Sequence, residues 1–422
     1  MGKFNLFETN LNSETQEALS ELMAKRKTGG PLTMKSLADF KSYMLPLDNF
    51  ALQATFGVRG LRGRTILEII GAEGIGKTTL LLTIVGELMR LNQAPALIVN
   101  TEGDNKLPNT ARMLRALSSN REEAKRMLDF IHIDSGRELR SVTVFVEDYI
   151  KTTREKLNAA GGEHVPIVVG IDTLSKLMSP GEAAGFAIDT GDKVQPKALG
   201  TSSNLEFSKL MHSWCRRLPW LLDTYNVLMI GVSHQNIKIN MSGFGGGSMM
   251  SEAVASGYNK NKYGGKAVDQ NAALQVTLKR IGFHKNTAGD TVGHKIEMRV
   301  VKSSIGADNN TLNYVLKTKD FEDTETTQGR ALDFDEGLAT LLVESGVGDI
   351  TVTRKRYSSK SLDFAGLTAS ELAAFFREHP EHYIPYAKAL DIDGYLHEEV
   401  PVDVPVLKAE KPAPVKKRTK KS

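Results

Sequence analysis

Short apolar runs recur along the chain at residues 66–70, 96–100, 130–133, 167–171 and 227–232. They are near-continuous and do not alternate with polar positions. Strands of a parallel sheet covered on both faces require that pattern. Helical periodicity fills the gaps, at 79–90 as a largely buried helix, then at 110–117, 144–158 and 208–223. The alternation predicts a doubly wound α/β core, with a mostly parallel twisted sheet, from about Leu47 to Leu316. Two later segments, 274–280 and 295–302, alternate more and flank 283–292. They predict an antiparallel hairpin that extends the sheet, followed by a strand at 312–317.

The ends of the chain differ from this core. Ser13-Glu14-Thr15-Gln16 is a capping-box pattern that starts a helix to about Lys25, and Thr28-Gly29-Gly30-Pro31 breaks it. Residues 1–45 thus form an arm, packing on its own body or docking on a neighbour. After the core at 46–330, residues 331–398 predict a small C-terminal α+β lobe. Leu338, Leu341, Leu342 and Val343 form one helical stripe there, and 369–376 carries another. The tail at 399–422 has Pro401, Pro405, Pro412 and Pro414, then Lys416-Lys417-Arg418-Thr419-Lys420-Lys421. Such a composition forms no core and predicts disorder. No internal repeat of fixed period is present.

Composition narrows the class only modestly. Hydrophobic residues make up 41% of the 422 positions, enough for a sizeable core. The formal charge is only +4, so bulk charge alone does not indicate nucleic acid. The single cysteine, Cys215, excludes an internal disulfide framework and fits a reducing compartment. Its helical, apolar setting predicts a buried structural thiol. No apolar run reaches the roughly 18 residues of a membrane span, and the N-terminal residues lack a signal-peptide core.

Candidate chemistry begins at Gly71-Ala72-Glu73-Gly74-Ile75-Gly76-Lys77-Thr78, with Thr79 behind it. The stretch fits G-x-x-x-x-G-K-[ST], between an apolar strand and a helix. Glycines let successive backbone N–H groups turn into one concavity, and the positive end of the helix faces the anion. Lys77 would reach the β- and γ-phosphates of a nucleotide, and the Thr78 hydroxyl would ligate Mg²⁺.

Three further strand ends carry polar groups. Asp172 ends 167–171, where a carboxylate could hold Mg²⁺ through its water shell; a strand-terminal Asp also serves as a turn cap. Glu102 follows 96–100 in Asn100-Thr101-Glu102-Gly103 and is expected one strand over from the P-loop. It could orient and deprotonate a water for attack on the γ-phosphate, or be a solvated loop glutamate. Ser233-His234-Gln235-Asn236 ends 227–232, placed to sense the γ-phosphate or simply to finish a strand. Next comes a long loop, 237–266, with Gly243-Phe244-Gly245-Gly246-Gly247 and then Lys260, Lys262, Tyr263 and Lys266. Glycines give mobility, lysines meet phosphates, and Phe244 and Tyr263 could stack on bases; a floppy insertion is the plain alternative. A second long loop, 179–204, has mixed charge and says little.

At this point the chain resembles the RecA recombinase family, phage UvsX-type members included. Residues 60–69 resemble its lead-in strand, and 71–80 its phosphate loop. Asn100-Thr101-Glu102-Gly103 resembles the D-T-E-G of archaeal and eukaryotic members, whose Glu is the catalytic carboxylate. Val232-Ser233-His234 resembles the segment that couples nucleotide to a DNA loop. Val300-Val301-Lys302 resembles the V-V-K whose lysine reaches the ATP of a neighbouring subunit.

The resemblance implies a DNA-dependent ATPase using ATP and Mg²⁺. Such a protein forms a helical filament on single-stranded DNA and pairs it with homologous double-stranded DNA. Single-strand-binding and loader proteins are partners it implies; no membrane is implied, and the location is the cytoplasm of a bacterium or phage-infected host. Loops 179–204 and 237–266 would be the DNA loops. Departures are also visible. His234 stands where bacterial members have Gln, although a shift of one would give Gln235 that role. Ser304 replaces a second lysine, the adenine-stacking aromatic is missing near Thr110, and the tail is basic where bacterial members are acidic. A replicative helicase of similar core and a non-catalytic recombination mediator are the alternative readings.

Overall fold

A computed structural model of the chain describes residues 44–102, 110–118, 120–185, 201–235, 265–304, 306, 309–318, 331–347 and 349–392. The expected arm helix at 13–25, most of both long loops, and the tail lie outside the described residues. Strands are β1 (Met44–Pro46), β2 (Gly60–Arg62), β3 (Ile66–Gly71), β4 (Ala96–Asn100), β5 (Ile131–Asp134), β6 (Ile167–Asp172) and β7 (Val227–His234). They continue as β8 (Ala272–Lys285), β9 (Thr291–Ser303), β10 (Thr311–Lys317), β11 (Leu332–Asp333), β12 (Thr351–Thr353), β13 (Arg356–Ser359) and β14 (Phe364–Leu367). Helices are α1 (Phe50–Phe56), α2 (Lys77–Asn92), α3 (Thr110–Leu117), α4 (Arg121–Leu128), α5 (Leu139–Ala159) and α6 (Pro180–Gly185). After them come α7 (Thr201–Tyr225), α8 (Gly265–Asn271), α9 (Asp335–Glu344), α10 (Ala369–Glu378) and α11 (Tyr383–Ala389).

Nine strands form the main sheet in the order β11-β10-β9-β8-β3-β7-β6-β4-β5. From β8 to β5 the pairings are parallel, and β9, β10 and β11 add an antiparallel meander at one edge. The fold is therefore an α/β, RecA-like core with a mostly parallel sheet. Every residue of β3, β4 and β6 is buried, as their unbroken apolar runs require. The hairpin at β8–β9 corrects one expectation: the strands run on through most of 283–292, leaving only a tight turn at 286–290. Most residues there are exposed, Phe283 among them, so burial-driven alternation understated the hairpin's length.

Helices α5 and α7 cover one face of the sheet. Val142, Val146 and Ile150 of α5 meet Val169 and Ile171, and Met211, Trp214, Leu218 and Leu222 of α7 join the same core. Cys215 lies in that core, and burial pushes its thiol up to about 11, so it is inert packing as expected. Helix α2 packs against β3, β6 and β7, and against α3. Gly86 makes the latter contact possible: a Cβ there would lie 2.0 Å from the Leu117 carbonyl oxygen.

Register places the chemistry. Gly71 of β3 pairs with His234 of β7, Val232 of β7 with Asp172 of β6, and Asp172 with Asn100 of β4. Four strands therefore end together, and their following loops share one crevice at the carboxyl edge of the sheet.

Candidate nucleotide site

The phosphate loop is built by backbone chemistry. Gly74 and Gly76 have φ of 70° and 90°, in the left-handed region glycine enters freely. Gly76 is the residue before α2, so the chain turns there and presents the helix N-terminus to the loop's concavity. A Cβ on Gly76 would also lie 2.8 Å from Leu316 Cδ2.

Lys77, Thr78, Glu102, Asp172 and His234 converge around this loop. Lys77 Nζ donates to the Ala72 carbonyl oxygen at 2.6 Å and lies 3.3 Å from His234 Nδ1. Thr78 Oγ1 donates to Asp172 Oδ2 at 2.5 Å. His234 Nε2 and Glu102 Oε1 are 2.6 Å apart. Burial pushes the Lys77 ammonium down to about 8, against the pull of Asp172, Glu102 and Glu73. Burial also pushes the Asp172 carboxyl up to about 6, with the Thr78 hydrogen bond opposing. The His234 imidazole is lowered by burial, partly offset by its bond to Glu102. A neutral imidazole can donate one ring proton to Glu102 and leave the other nitrogen facing Lys77.

The position of Glu102 corrects the sequence expectation. Its strand is not next to the P-loop strand, because β7 and β6 lie between β3 and β4. The loop after β4 brings it back: Thr101 N–H donates to the Asp172 carbonyl, and Thr101 Oγ1 donates to the Thr173 carbonyl at 2.7 Å. A cavity of about 370 Å³ opens beside Glu102, lined also by Arg137, Ser175, Lys176 and Glu182. Arg137 and Lys176 are cations that motif reasoning missed, since one lies in a loop and the other in a three-residue 3₁₀ turn, neither with a pattern of its own.

The donor set fits Mg²⁺ and phosphate. Asp172 Oδ1 is buried and has no hydrogen-bond partner among the described residues. Its other oxygen holds the Thr78 hydroxyl, so an ion with its water shell could occupy the orphaned lone pairs with oxygen donors alone.

Two further predicted residues, expected on a neighbour's nucleotide and on DNA, lie outside this group. Lys302 Nζ donates to the Asp269 carbonyl at 2.5 Å, at the end of α8, and is not part of this chain's own P-loop group. Lys266 belongs to α8. Phe244, Lys260, Lys262 and Tyr263 lie outside the described residues.

Behind the site runs a buried polar chain. Ser233 Oγ donates to Glu68 Oε1 at 2.7 Å, and Gln275 Nε2 lies 2.7 Å from both Glu68 Oε2 and Asp269 Oδ1. It links the residue beside His234 to α8, the first helix after the 236–264 segment. Glu68 was the available signal: a charge in the middle of an apolar strand must have partners.

Fold and site together define an α/β protein whose RecA-like core carries a P-loop at the switch edge of a parallel sheet. No family model matches the chain. The chain is similar to Protein RecA of Nautilia profundicola, 22% identical over 262 residues, 62% of this chain and 61% of that protein. Protein RecA of Methylococcus capsulatus is 23% identical over 372 residues, 86% of this chain and 87% of that protein. DNA repair protein recA homolog 3, mitochondrial, of Arabidopsis thaliana is 24% identical over 257 residues, 61% of this chain and 49% of that protein. The match thus spans about three fifths of the Nautilia protein and half of the Arabidopsis one. Among the described residues no helix is long and apolar enough to cross a membrane.

Proposed function

We propose that this chain is an ATP-hydrolysing, DNA-dependent homologous recombinase. It would assemble as a helical filament on single-stranded DNA in the cytoplasm and pair that strand with homologous duplex. The observation that carries the reading is the convergence of Lys77, the Thr78–Asp172 pair and the Glu102–His234 pair on one sheet edge. Similarity to proteins named RecA, one of them named for DNA repair, supports DNA as the partner.

Mg²⁺, when held there, would supply neutralisation of phosphate charge. Thr78 Oγ1 and Asp172 would hold it. Lys77 Nζ would leave the Ala72 carbonyl for the phosphate oxygens. Glu102 would accept the proton of the attacking water at Oε2, while His234 keeps Oε1 and fixes the carboxylate's orientation. His234 also touches Lys77, so phosphate binding would be felt at the end of β7, where the 236–264 segment begins. That is the basis for assigning Phe244, Lys260, Lys262, Tyr263 and Lys266 to DNA. Lys302 would act across a subunit boundary, on the nucleotide of a neighbour.

ATP hydrolysis with and without single-stranded DNA, followed by a joint-molecule assay, tests the reading. Stimulation by DNA and pairing of homologous strands are expected, with both lost in Lys77→Ala. Hydrolysis without DNA stimulation or pairing overturns it, and closed rings instead of filaments in electron microscopy would indicate a helicase. Single-strand-binding and loader proteins are the partners to add to that assay.

A further inference from the structure

The end of α10 departs from anything the nucleotide site needs. His379 caps the helix, its N–H donating to the Phe375 carbonyl at 3.0 Å, and Pro380 cannot continue the α-helical ladder. A 3₁₀ turn follows over Pro380–His382, closed by the His382 N–H on the His379 carbonyl at 3.1 Å. With three residues per turn, positions 379 and 382 fall on one face. Glu381 joins them: its Oε1 is 3.4 Å from His379 Nδ1 and 4.0 Å from His382 Nε2. All three donor atoms lie within 4.8 Å of one another, the one such group of three among the described residues.

We propose that His379, Glu381 and His382 bind a divalent transition-metal ion of the Zn²⁺ type. Two imidazole nitrogens and one carboxylate are a donor set that Zn²⁺ takes at 2.0–2.2 Å, with one position left for water. Tetrahedral bonds of that length put donor atoms roughly 3.3 Å apart. The His379–Glu381 spacing is already there, and the other pairs close by side-chain rotation. The side chains of His379 and Glu381 are 47% and 41% exposed, which leaves them room on the solvent side to turn toward His382.

His382 is the fixed member, 16% exposed, with Phe375 stacked on it at 5.6 Å and 5°. Phe375 also lies 5.0 Å from the His379 ring. The negative end of the α10 dipole adds attraction for a cation. The nearby Arg377 guanidinium is turned to Asp335, 3.3 Å away, and so does not occupy the cluster. Bound there, the ion would clip the end of α10 to the start of α11. Tyr383, the first residue of α11, stacks on Phe50 of α1 at 4.0 Å, so the clip would steady the contact between this segment and the core.

Titration of the full nucleotide-free chain with Co²⁺, read by its visible d–d bands, and Zn²⁺ displacement of Co²⁺ test the site. One equivalent should bind with a tetrahedral spectrum, and Zn²⁺ should raise the melting temperature. Glu381→Gln, a shape-conserving change at an exposed position, should weaken Co²⁺ binding by more than about tenfold, the least that disturbing a metal's surroundings costs. His379→Ala with His382→Gln should abolish it, far-UV circular dichroism checking that the chain stays folded. No d–d spectrum from the wild type, or unchanged binding in Glu381→Gln, overturns the proposal. So does a signal lost in His234→Ala but kept in the His379 and His382 variants, which would put the ion beside Glu102 instead.

Discussion

His234 and Glu102 stand 2.6 Å apart, joining the ends of two strands that are not neighbours in the sheet. The candidate base is therefore oriented by another side chain of this chain. Glu102→Gln should lower ATP turnover by about 10²–10⁴-fold, the usual worth of a positioned base. His234→Ala should cost less, and the double variant should be little worse than Glu102→Gln alone. Steady-state kinetics on the four proteins checks this; additive losses would show that the two residues act separately.

The pH profile follows from burial. Asp172, raised to about 6, must lose its proton to hold a cation, while Lys77, lowered to about 8, must keep its own to meet phosphate. kcat/KM for ATP, which reports the free protein, should rise through about 6 and fall above about 8. A profile flat across both values would contradict it. Stability carries the linked signs. Between 3.8 and about 6 the folded state holds the extra proton on Asp172, so that contribution falls as pH rises. Between about 8 and 10.5 the folded state holds fewer protons at Lys77, so that contribution rises with pH.

Glu68 has no exposed surface and accepts from Ser233 and Gln275. Glu68→Ala strands two buried donors and should cost about 2–5 kcal/mol by urea unfolding. Glu68→Gln keeps the shape but leaves one acceptor oxygen where Ser233 and Gln275 both donate. It should reduce DNA stimulation of ATP hydrolysis more than the basal rate, because Gln275 connects onward to Asp269 of α8.

Gly86→Ala tests the seat of the P-loop helix. Alanine favours a helix by about 1 kcal/mol over glycine, yet its methyl would meet the Leu117 carbonyl. Overpacking should win, with a net loss of about 1–3 kcal/mol on denaturation. A gain in stability would show that α3 moves away freely.

The basic tail gives a salt test. Deleting residues 416–422 removes Lys416, Lys417, Arg418, Lys420 and Lys421. Each of them that meets a single-strand phosphate contributes about 0.7 to the slope of log affinity against log salt. Truncation should flatten that slope, measured by fluorescence anisotropy; an unchanged slope would mean that the tail does not touch DNA.

The amino-acid order determined what is local. Glycine spacing set the turn from β3 into α2, and apolar runs named the buried strands to within two residues at either end. A strand-terminal carboxylate marked Asp172. Each of these depends on a few successive residues whose backbone preferences and burial needs are written in their own side chains. The order of strands is different, because β3 pairs equally well, residue by residue, with any buried apolar strand. Only packing of the helices on both faces chose β7 and β8 as its neighbours and put β4 three places away. That choice brought Glu102 to His234, joined Glu68 to Gln275 across 207 positions of chain, and drew Lys302 to α8. The tertiary structure decided these pairings because a buried polar group takes whichever partner the fold brings within reach, whatever its distance along the chain.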